Sequence, residues 1–170
     1  KQLLCDLVSA TEVEMFMGSG TLANDVIAGQ LSVEETPGII LSNGEFGERI
    51  ADHARRFNLP FKLLQRSWGE PFDQTDVTDT IDNFPETKWI WAVHCETSTG
   101  MLNDIEFLKK VCQKRGKNLV LDCISSIGTI PVDLSQVYLA SCVSGKGLGS
   151  YPGLSMVFYD HVVRSAPSIL

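Results

Sequence analysis

The chain has 170 residues, of which 44% are hydrophobic and 21% are charged, and this composition is typical of a single folded globular domain. Its formal net charge of −7 argues against a surface for nucleic acids or anionic membranes, because both bind basic patches. No apolar run reaches the roughly 18 residues that a membrane-spanning helix needs, and the five cysteines form no CxxC pair. We therefore predict a cytoplasmic protein that acts on small molecules and has no metal site.

Strand and helix patterns alternate along the chain. Polar and apolar side chains alternate at residues 11–17, which predicts a strand that ends in a glycine turn. In the helix that follows, Leu22, Val26 and Ile27 share one face with Leu31. Further strands are predicted at residues 39–41, 61–64, 89–93, 119–121, 138–143 and 154–159. Further helices are predicted at residues 45–57 and 104–114, and residues 71–83 are predicted to be loop and a weak helix with its core at residues 78–81.

The order of these elements predicts the architecture. Strands separated by helices form a parallel sheet that is covered on both faces. The last two predicted strands, however, are separated by only ten residues, of which four are glycine and one is Pro152. This connection is too short for a helical crossover, so the last strand should run antiparallel to its predecessor. We therefore predict an α/β fold, a three-layer sandwich with a mostly parallel sheet and one antiparallel strand.

In open α/β sheets, ligands bind beyond the carboxyl ends of the strands. The first such segment is Gly18-Ser19-Gly20-Thr21, at the predicted start of a helix. Its backbone N–H groups and the hydroxyls of Ser19 and Thr21 could bind a phosphate, since helix N-termini favour anions. The same residues also suit a simple helix cap with flexible glycines.

An acidic residue and a lysine follow two later strands. Asp122 ends an apolar strand, where an ionised carboxylate is costly unless a cation meets it. A protonated pyridine nitrogen would be such a cation, and a helix cap or a structural ion pair is the alternative. Lys146 lies in a glycine-rich turn, where a partly desolvated amine could form an imine with a carbonyl group. A solvated turn lysine is the alternative for this residue.

Two further segments carry side chains suited to a ring-shaped ligand. Phe46 follows the turn Ser42-Asn43-Gly44 and is either a core residue or a platform for a ring. The hydroxyl groups of Thr97 and its neighbours follow the strand at residues 89–93 and could bond a ligand oxygen, or simply stabilise a turn. His94, beside them, suits either acid–base chemistry or a structural role with a satisfied ring.

The order of these segments is more specific than any one of them. It comprises a phosphate turn, an aromatic residue after Asn-Gly, a Thr-Ser-Thr-Gly turn, a strand-terminal Asp and a lysine in a Gly/Pro loop. With the runs at residues 18–21, 42–47, 94–103 and 122–128, the chain resembles the class V, fold-type I pyridoxal-phosphate aminotransferases over nearly its whole length. The resemblance points in particular to the 2-aminoethylphosphonate:pyruvate and alanine:glyoxylate (serine:pyruvate) branch.

The resemblance implies a role for each residue of the site. Lys146 would bind the cofactor aldehyde covalently and move a proton during the reaction, and Asp122 would pair with the pyridinium nitrogen. Phe46 would stack on one face of the cofactor ring, Ile124 would press on the other, and Thr97 would reach the side of the ring hydroxyl. The phosphate group would be bound by Ser19, Gly20 and Thr21.

The resemblance also implies the reaction and the assembly. An amino group would move from a small donor, 2-aminoethylphosphonate, alanine or serine, to pyruvate or glyoxylate, in a homodimer with cofactor sites at the subunit boundary. Residues 1–170 would be the cofactor-binding large domain alone, without the family's N-terminal segment and C-terminal small domain. The alternatives are a lyase or desulfurase on the same fold, or a catalytically silent domain used for dimerisation or partner binding.

One position departs from the family pattern. Gly145 precedes the lysine, where the family often has Gln, Asn or His. A polar contact near the phosphate would then be missing. A cysteine desulfurase would favour His at this position, so the departure counts against that alternative.

Overall fold

The computed structural model describes residues 1–162, which fold around one seven-stranded β-sheet. The helices are α1 (Gln2–Val8), α2 (Gly20–Glu34), α3 (Glu45–Arg56), α4 (Gln74–Asn83) and α5 (Ile105–Arg115). The strands are β1 (Glu12–Met17), β2 (Gly38–Ser42), β3 (Phe61–Gln65), β4 (Trp89–Val93), β5 (Cys95–Glu96), β6 (Met101–Leu102), β7 (Asn118–Asp122), β8 (Leu139–Val143) and β9 (Leu154–Tyr159). Among residues 1–162, no helix is both long enough and apolar enough to cross a bilayer.

The main sheet has the strand order β1-β9-β8-β7-β4-β2-β3, and β5 and β6 form a separate antiparallel pair. The pairs β2–β3, β2–β4, β4–β7 and β7–β8 are parallel. In contrast, β9 pairs antiparallel with both β8 and β1. The predicted fold, with one antiparallel strand in a mostly parallel sheet, is therefore confirmed.

Helices cover both faces of the sheet, as a three-layer sandwich requires. On one face, α2 and α3 pack over a cluster that includes the fully buried side chains of Trp89 and Trp91. On the other face, α1, α4 and α5 contribute Val8, Ile81 and Leu108 to a second cluster. Burial of large apolar side chains on both faces stabilises the fold by about 1.5–3 kcal/mol for each side chain.

The buried face of α2 differs from its predicted form. The buried stripe runs through Ala23, Ile27 and Leu31, whereas Leu22 and Val26 are only half-buried. Ile27 and Leu31 therefore lie on the predicted apolar face and Val26 packs against its margin, whereas Leu22 departs from the prediction. Small alanine side chains let the helix backbone approach the sheet closely, and the larger side chains then lie at the margin of the contact.

The weak helix predicted within residues 71–83 is present and includes its predicted core at residues 78–81. It extends over Gln74–Asn83 because Asp73 caps its N-terminus. The Asp73 side chain accepts a hydrogen bond from the backbone N–H of Thr75 at 2.7 Å. Such a cap satisfies one of the N–H groups that the first turn leaves without a helical partner.

The segments that follow the parallel strands meet at one edge of the sheet. β2 leads into α3, β4 leads into β5, β7 leads into a turn, and β8 leads into the glycine-rich loop at residues 144–153. β1 runs in the same direction as β8, because both pair antiparallel with β9, so the start of α2 lies at this edge too. The polar segments singled out from the sequence are thereby brought together.

Candidate active site

A cavity opens at the edge of the sheet where these segments meet. It is bordered by seven of the residues singled out from the sequence, Gly20, Thr21, Phe46, Thr97, Asp122, Ile124 and Lys146. The empty space between its walls, including the open mouth, is about 670 Å³. Ser19 lies outside this wall and borders a neighbouring groove, which also contains Gly20 and Lys146.

Asp122 is a buried carboxyl group in the wall of the cavity, with only 5% of its surface exposed. Its Oδ2 accepts a hydrogen bond from Nδ2 of Asn24 at 2.8 Å, and its Oδ1 accepts one from the backbone N–H of Ile124 at 3.0 Å. Burial raises the pKa of this carboxyl, and the two hydrogen bonds and the charge of Lys146 offset only part of that increase. Among residues 1–162, no salt bridge includes Asp122.

Lys146 borders the cavity from the glycine-rich loop between β8 and β9. Its Nζ lies 5.4 Å from the centre of the Phe46 ring. The residue is exposed, so the partial desolvation suggested by the sequence is not found. The flanking residues Gly145 and Gly147 have no side chains that could cover the lysine, and its amine is therefore accessible to a ligand.

The loop that carries Lys146 is held by Ser144, which the sequence analysis did not single out. The Ser144 Oγ donates to the backbone oxygen of Tyr151 at 2.6 Å, and its backbone N–H donates to the oxygen of Leu154 at 3.0 Å. Its backbone oxygen accepts from the N–H of Ser150 at 3.1 Å. A serine in a glycine-rich turn carries no distinct sequence signal, because its partners lie on the far side of the loop.

Glu96 is fully buried and fixes the start of α3, which carries Phe46. Its Oε2 accepts from the backbone N–H groups of Phe46 and Gly47, each at 3.0 Å, and its Oε1 accepts from Oγ of Ser98 at 2.5 Å. A carboxylate is stabilised there by the positive end of the helix dipole. Gly44 leaves the necessary room, because a β-carbon at that position would lie 2.5 Å from Cγ of Glu96.

The start of α2 presents backbone N–H groups to the same edge of the sheet. Ser19 is the N-cap residue, but its side chain makes no capping hydrogen bond, so the simple cap suggested as one alternative is not formed by its hydroxyl. Gly20 packs against Ile124, since a β-carbon on Gly20 would lie 2.8 Å from Cδ1 of Ile124. The N-terminus of a helix favours anions, and here it lies beside the cavity wall.

Thr97 and His94 follow the same strand but have different surroundings. Thr97 is exposed and borders the cavity. His94 is buried, and its Nδ1 lies 3.0 Å from Oγ of Ser126. Burial lowers the pKa of His94, and the residue is not part of the cavity wall. These contacts favour the structural role for His94 over acid–base chemistry.

Three polar residues that the sequence analysis missed also border the cavity: Asn24, Arg49 and His53. The guanidinium carbon of Arg49 lies 5.1 Å from the centre of the Phe46 ring. The Nδ1 atom of His53 lies 2.6 Å from Oδ1 of Asp25. Both Asn24 and His53 are buried polar residues on the otherwise apolar faces of their helices, and this interruption is the sequence signal that was available.

The cavity combines four chemical capacities. The Lys146 amine can bond to an aldehyde, and the Asp122 carboxylate can hold a protonated ring nitrogen. The start of α2 can bind an anionic group, and the Phe46 ring offers a flat surface to a second ring. An aromatic aldehyde that carries a basic ring nitrogen and an anionic group matches all four.

The sequence has close counterparts among known enzymes. The model of the aminotransferase class-V family matches residues 6–165. The 2-aminoethylphosphonate–pyruvate transaminase of Pseudomonas putida (strain GB-1) is 30% identical over 151 residues, which are 88% of this chain and 41% of that protein. The enzyme of the same name from Pseudomonas aeruginosa is 35% identical over 143 residues, which are 83% of this chain and 38% of that protein.

The fold has counterparts among solved structures. An alanine–glyoxylate aminotransferase from Nostoc sp. superposes with a TM-score of 0.82 and 28% identity, over 94% of this chain and 43% of that one. The chain spans less than half of the length of the curated relatives that it matches. Because the family match extends over nearly all of its residues, the chain belongs to the aminotransferase class-V family.

Proposed function

We propose that this chain is the cofactor-binding domain of a pyridoxal-phosphate-dependent aminotransferase. The protein transfers an amino group from a small donor, such as 2-aminoethylphosphonate, alanine or serine, to a 2-oxo acid such as pyruvate or glyoxylate. The reaction class is supported by the names of the relatives from Pseudomonas and Nostoc. Class V aminotransferases use pyridoxal phosphate.

The observation that carries the proposal is the shared cavity of Asp122 and Lys146. A buried carboxylate without a cationic partner is costly, and burial accordingly raises the pKa of Asp122. Perturbed groups of this kind cluster at functional sites. A ligand with a protonated ring nitrogen removes the cost by supplying the missing cation, and an amine on the same cavity wall can bind the ligand covalently.

The other predicted residues supply the remaining contacts of the cofactor in this proposal. Phe46 and Ile124 hold the two faces of the ring, and Thr97 bonds the ring hydroxyl. The close packing of Gly20 against Ile124 supports a phosphate site that adjoins the ring site. The phosphate group is bound at the start of α2 by Ser19, Gly20 and Thr21.

Each protein group has a separate task in the proposed reaction. When bound, pyridoxal phosphate supplies an aldehyde that takes up the amino group and a ring that withdraws electrons from the substrate α-carbon. Lys146 would hold the cofactor between turnovers, and its free Nζ would then accept a proton from the substrate α-carbon and deliver it to the former aldehyde carbon of the cofactor. Asp122 holds the proton on the ring nitrogen. Ser144 keeps the lysine loop in place during this proton transfer.

We further propose that the protein is a cytoplasmic homodimer that binds neither nucleic acid nor membranes. All five cysteines are free thiols, which suits a reducing compartment, and the net charge is −7. Three exposed apolar side chains, those of Met17, Tyr151 and Leu154, lie beside the groove that contains Ser19, Gly20 and Lys146. Such a surface fits a partner subunit, and size-exclusion chromatography with light scattering would measure the assembly.

The cofactor assignment is tested by chemical trapping. The complete gene product is incubated with pyridoxal phosphate and reduced with borohydride, and the modified peptide is identified by mass spectrometry. The expected result is a phosphopyridoxyl group on Lys146. Lys146→Ala should lose the cofactor absorption band and keep its fold, because the side chain is exposed, whereas the control Lys110→Ala should keep the band. A wild-type protein without a label on Lys146 would contradict the proposal.

The reaction class is tested by the products. A transaminase yields a new 2-oxo acid together with a new amino acid. A lyase or desulfurase on the same fold instead releases ammonia or sulfide. Release of ammonia or sulfide without a new amino acid would therefore contradict the proposed transamination and indicate an elimination reaction. The role of Lys146 in binding the cofactor would be unaffected.

A further inference from the structure

Asn24 lies at a position in α2 where the surrounding stripe is apolar. Its neighbours on the buried face are Ala23, Ile27 and Ala28. Asn24 is 5% exposed, the same fraction as Asp122, and its Nδ2 donates to Oδ2 of Asp122 at 2.8 Å. Both residues border the cavity. A polar side chain therefore interrupts the buried apolar face of α2 at the point where the helix contacts the Asp122 carboxylate.

The second polar atom of Asn24 shows that the amide is not there for stability alone. Within residues 1–162, the buried Oδ1 of Asn24 has no hydrogen-bond partner. An unpaired buried oxygen destabilises a fold, and an apolar side chain of similar size would avoid that loss. The hydrogen bond that the Asn24 side chain does make is the one to Asp122. The polar side chain is therefore explained by its effect on the Asp122 carboxylate.

We propose that Asn24 is a positioning residue, whose amide keeps the Asp122 carboxylate ionised and oriented towards the ring nitrogen of the cofactor. This inference rests on the proposed function. Asn24 does not touch the reacting atoms in this arrangement. It acts through Asp122. The Asn24 amide, from α2, donates to one carboxylate oxygen, and the backbone N–H of Ile124, from the turn after β7, donates to the other.

The charged groups around Asp122 explain why such a donor is needed. Burial disfavours the charged form, and Glu96 from β5 adds a like charge that raises the pKa of Asp122 further. The opposing influences are the Asn24 amide, the backbone N–H of Ile124 and the charge of Lys146. Lys146 is exposed, and solvent screens its charge. Loss of the Asn24 amide therefore shifts the balance towards a protonated carboxyl.

The test compares variants that remove an amide from the same helix. Asn24→Leu deletes the donor at similar volume, and Asn24→Ala deletes it by truncation without adding a charge. Gln30→Leu is the matched control, because it removes an amide from α2 at a residue outside the cavity wall. In the complete gene product, two quantities are measured: the dissociation constant for pyridoxal phosphate, and the Asp122 titration midpoint without cofactor, by carbon-13 NMR of the carboxyl group.

Both quantities should change in the Asn24 variants and stay unchanged in the control. Loss of a hydrogen bond to a charged group should raise the titration midpoint of Asp122 by about one pH unit or more. The same loss should weaken cofactor binding by about tenfold. Because Asn24→Ala adds no bulk, it supplies both readouts even if Asn24→Leu does not fold.

Different results would overturn the role of Asn24 and the proposed function. An Asp122 midpoint and a dissociation constant equal to those of Gln30→Leu would overturn the role of Asn24. A wild-type protein that takes up no cofactor on Lys146 would overturn the proposed function, and the NMR titration without cofactor would still decide whether Asn24 keeps Asp122 ionised.

Discussion

Gly147 packs its backbone against the carbonyl oxygen of Ile127, and no space is left for a side chain at position 147. Gly128 makes the reciprocal contact, with a φ of 84° that favours glycine. Ile127 and Gly128 belong to the turn that follows Asp122, and Gly147 follows Lys146 directly. The loop with the amine and the turn after the carboxylate are therefore packed against each other as one unit.

This contact predicts the effect of adding one methyl group. Gly147→Ala should push the lysine loop away from the turn at Ile127, because the obstructing atoms include the backbone oxygen of Ile127 and the backbone nitrogen of Thr129, which cannot rotate aside. Overpacking of this kind typically costs about 1–3 kcal/mol. We expect a lower free energy of unfolding in urea and weaker binding of pyridoxal phosphate, measured by absorbance titration. Ser150→Ala, at an exposed position of the same loop, should change neither quantity; wild-type values for Gly147→Ala would contradict the packing argument.

The neighbouring glycine has a different constraint. A β-carbon on Gly145 would lie 2.8 Å from Cα and 2.9 Å from Cβ of Pro152. Pro152 thus occupies the space that a larger residue before the lysine would need, which gives a physical reason for the departure of this chain from the pattern Gln, Asn or His.

Gly145→Asn should therefore not gain a useful polar contact. We expect a loss of about 1–3 kcal/mol in the free energy of unfolding, since the obstructing atoms include the Pro152 backbone. The matched control is Ser150→Asn, which places the same side chain at an exposed site in the loop. If urea unfolding gave equal stabilities for the two variants, Pro152 would not be the reason for glycine at position 145.

The fold, and the convergence of the candidate residues on one cavity, could be predicted because both depend on local patterns. Alternating polarity predicted β1, glycine turns marked the ends of strands, and the ten residues before Leu154 were too few for a crossover. Once the strands are parallel, topology alone brings Thr21, Thr97, Asp122 and Lys146 to one edge.

The partners of these residues could not be predicted in the same way. The hydrogen bond from Asn24 to Asp122 joins residues 98 positions apart, and the one from Phe46 to Glu96 joins residues 50 positions apart. Which of two helical faces is buried also depended on close packing, so Ala23 rather than Leu22 faces the sheet. Such pairings require the packed structure, because nothing in the local sequence specifies them.

The contact between Glu96 and the start of α3 predicts a stability effect. Glu96→Gln replaces one acceptor oxygen by an NH₂ group, which has to face either the N–H groups of Phe46 and Gly47 or the hydroxyl of Ser98. A buried charged acceptor lost in this way costs about 1–3 kcal/mol. The free energy of unfolding in urea should fall by that amount, and the affinity for pyridoxal phosphate should fall with it because Phe46 loses its support.

The control for this variant is Glu86→Gln, which makes the same chemical change at an exposed position. Its unfolding curve should overlay that of the wild type. Equal curves for Glu96→Gln and Glu86→Gln would show that the buried carboxylate does not hold the helix start.

The raised pKa of Asp122 predicts how stability without cofactor depends on pH. The carboxyl is protonated in both states below the unfolded value of about 3.9. As the pH rises through the higher folded pKa, the buried group has to ionise and stability is lost. Glu and Asp residues with depressed pKa values make the fold more stable as the pH rises. A loss of stability with rising pH therefore distinguishes Asp122 from those residues.

Asp122→Asn should therefore have opposite effects with and without cofactor. Without cofactor, the neutral amide avoids the cost of ionisation. Its oxygen can accept from the Ile124 N–H, and its NH₂ group can donate to the otherwise unpaired Asn24 oxygen once the Asn24 amide is flipped. The variant should therefore exceed the wild type in free energy of unfolding at pH 7 by on the order of 1 kcal/mol. The difference should vanish near pH 4. With pyridoxal phosphate, binding should weaken, because in the proposed site the ring nitrogen would lose its anionic partner. Urea unfolding at several pH values measures the first effect, with the exposed Asp79→Asn as control. A lower free energy of unfolding for the cofactor-free Asp122→Asn variant at pH 7 would contradict this prediction. It would mean that the buried carboxylate stabilises the fold instead of destabilising it.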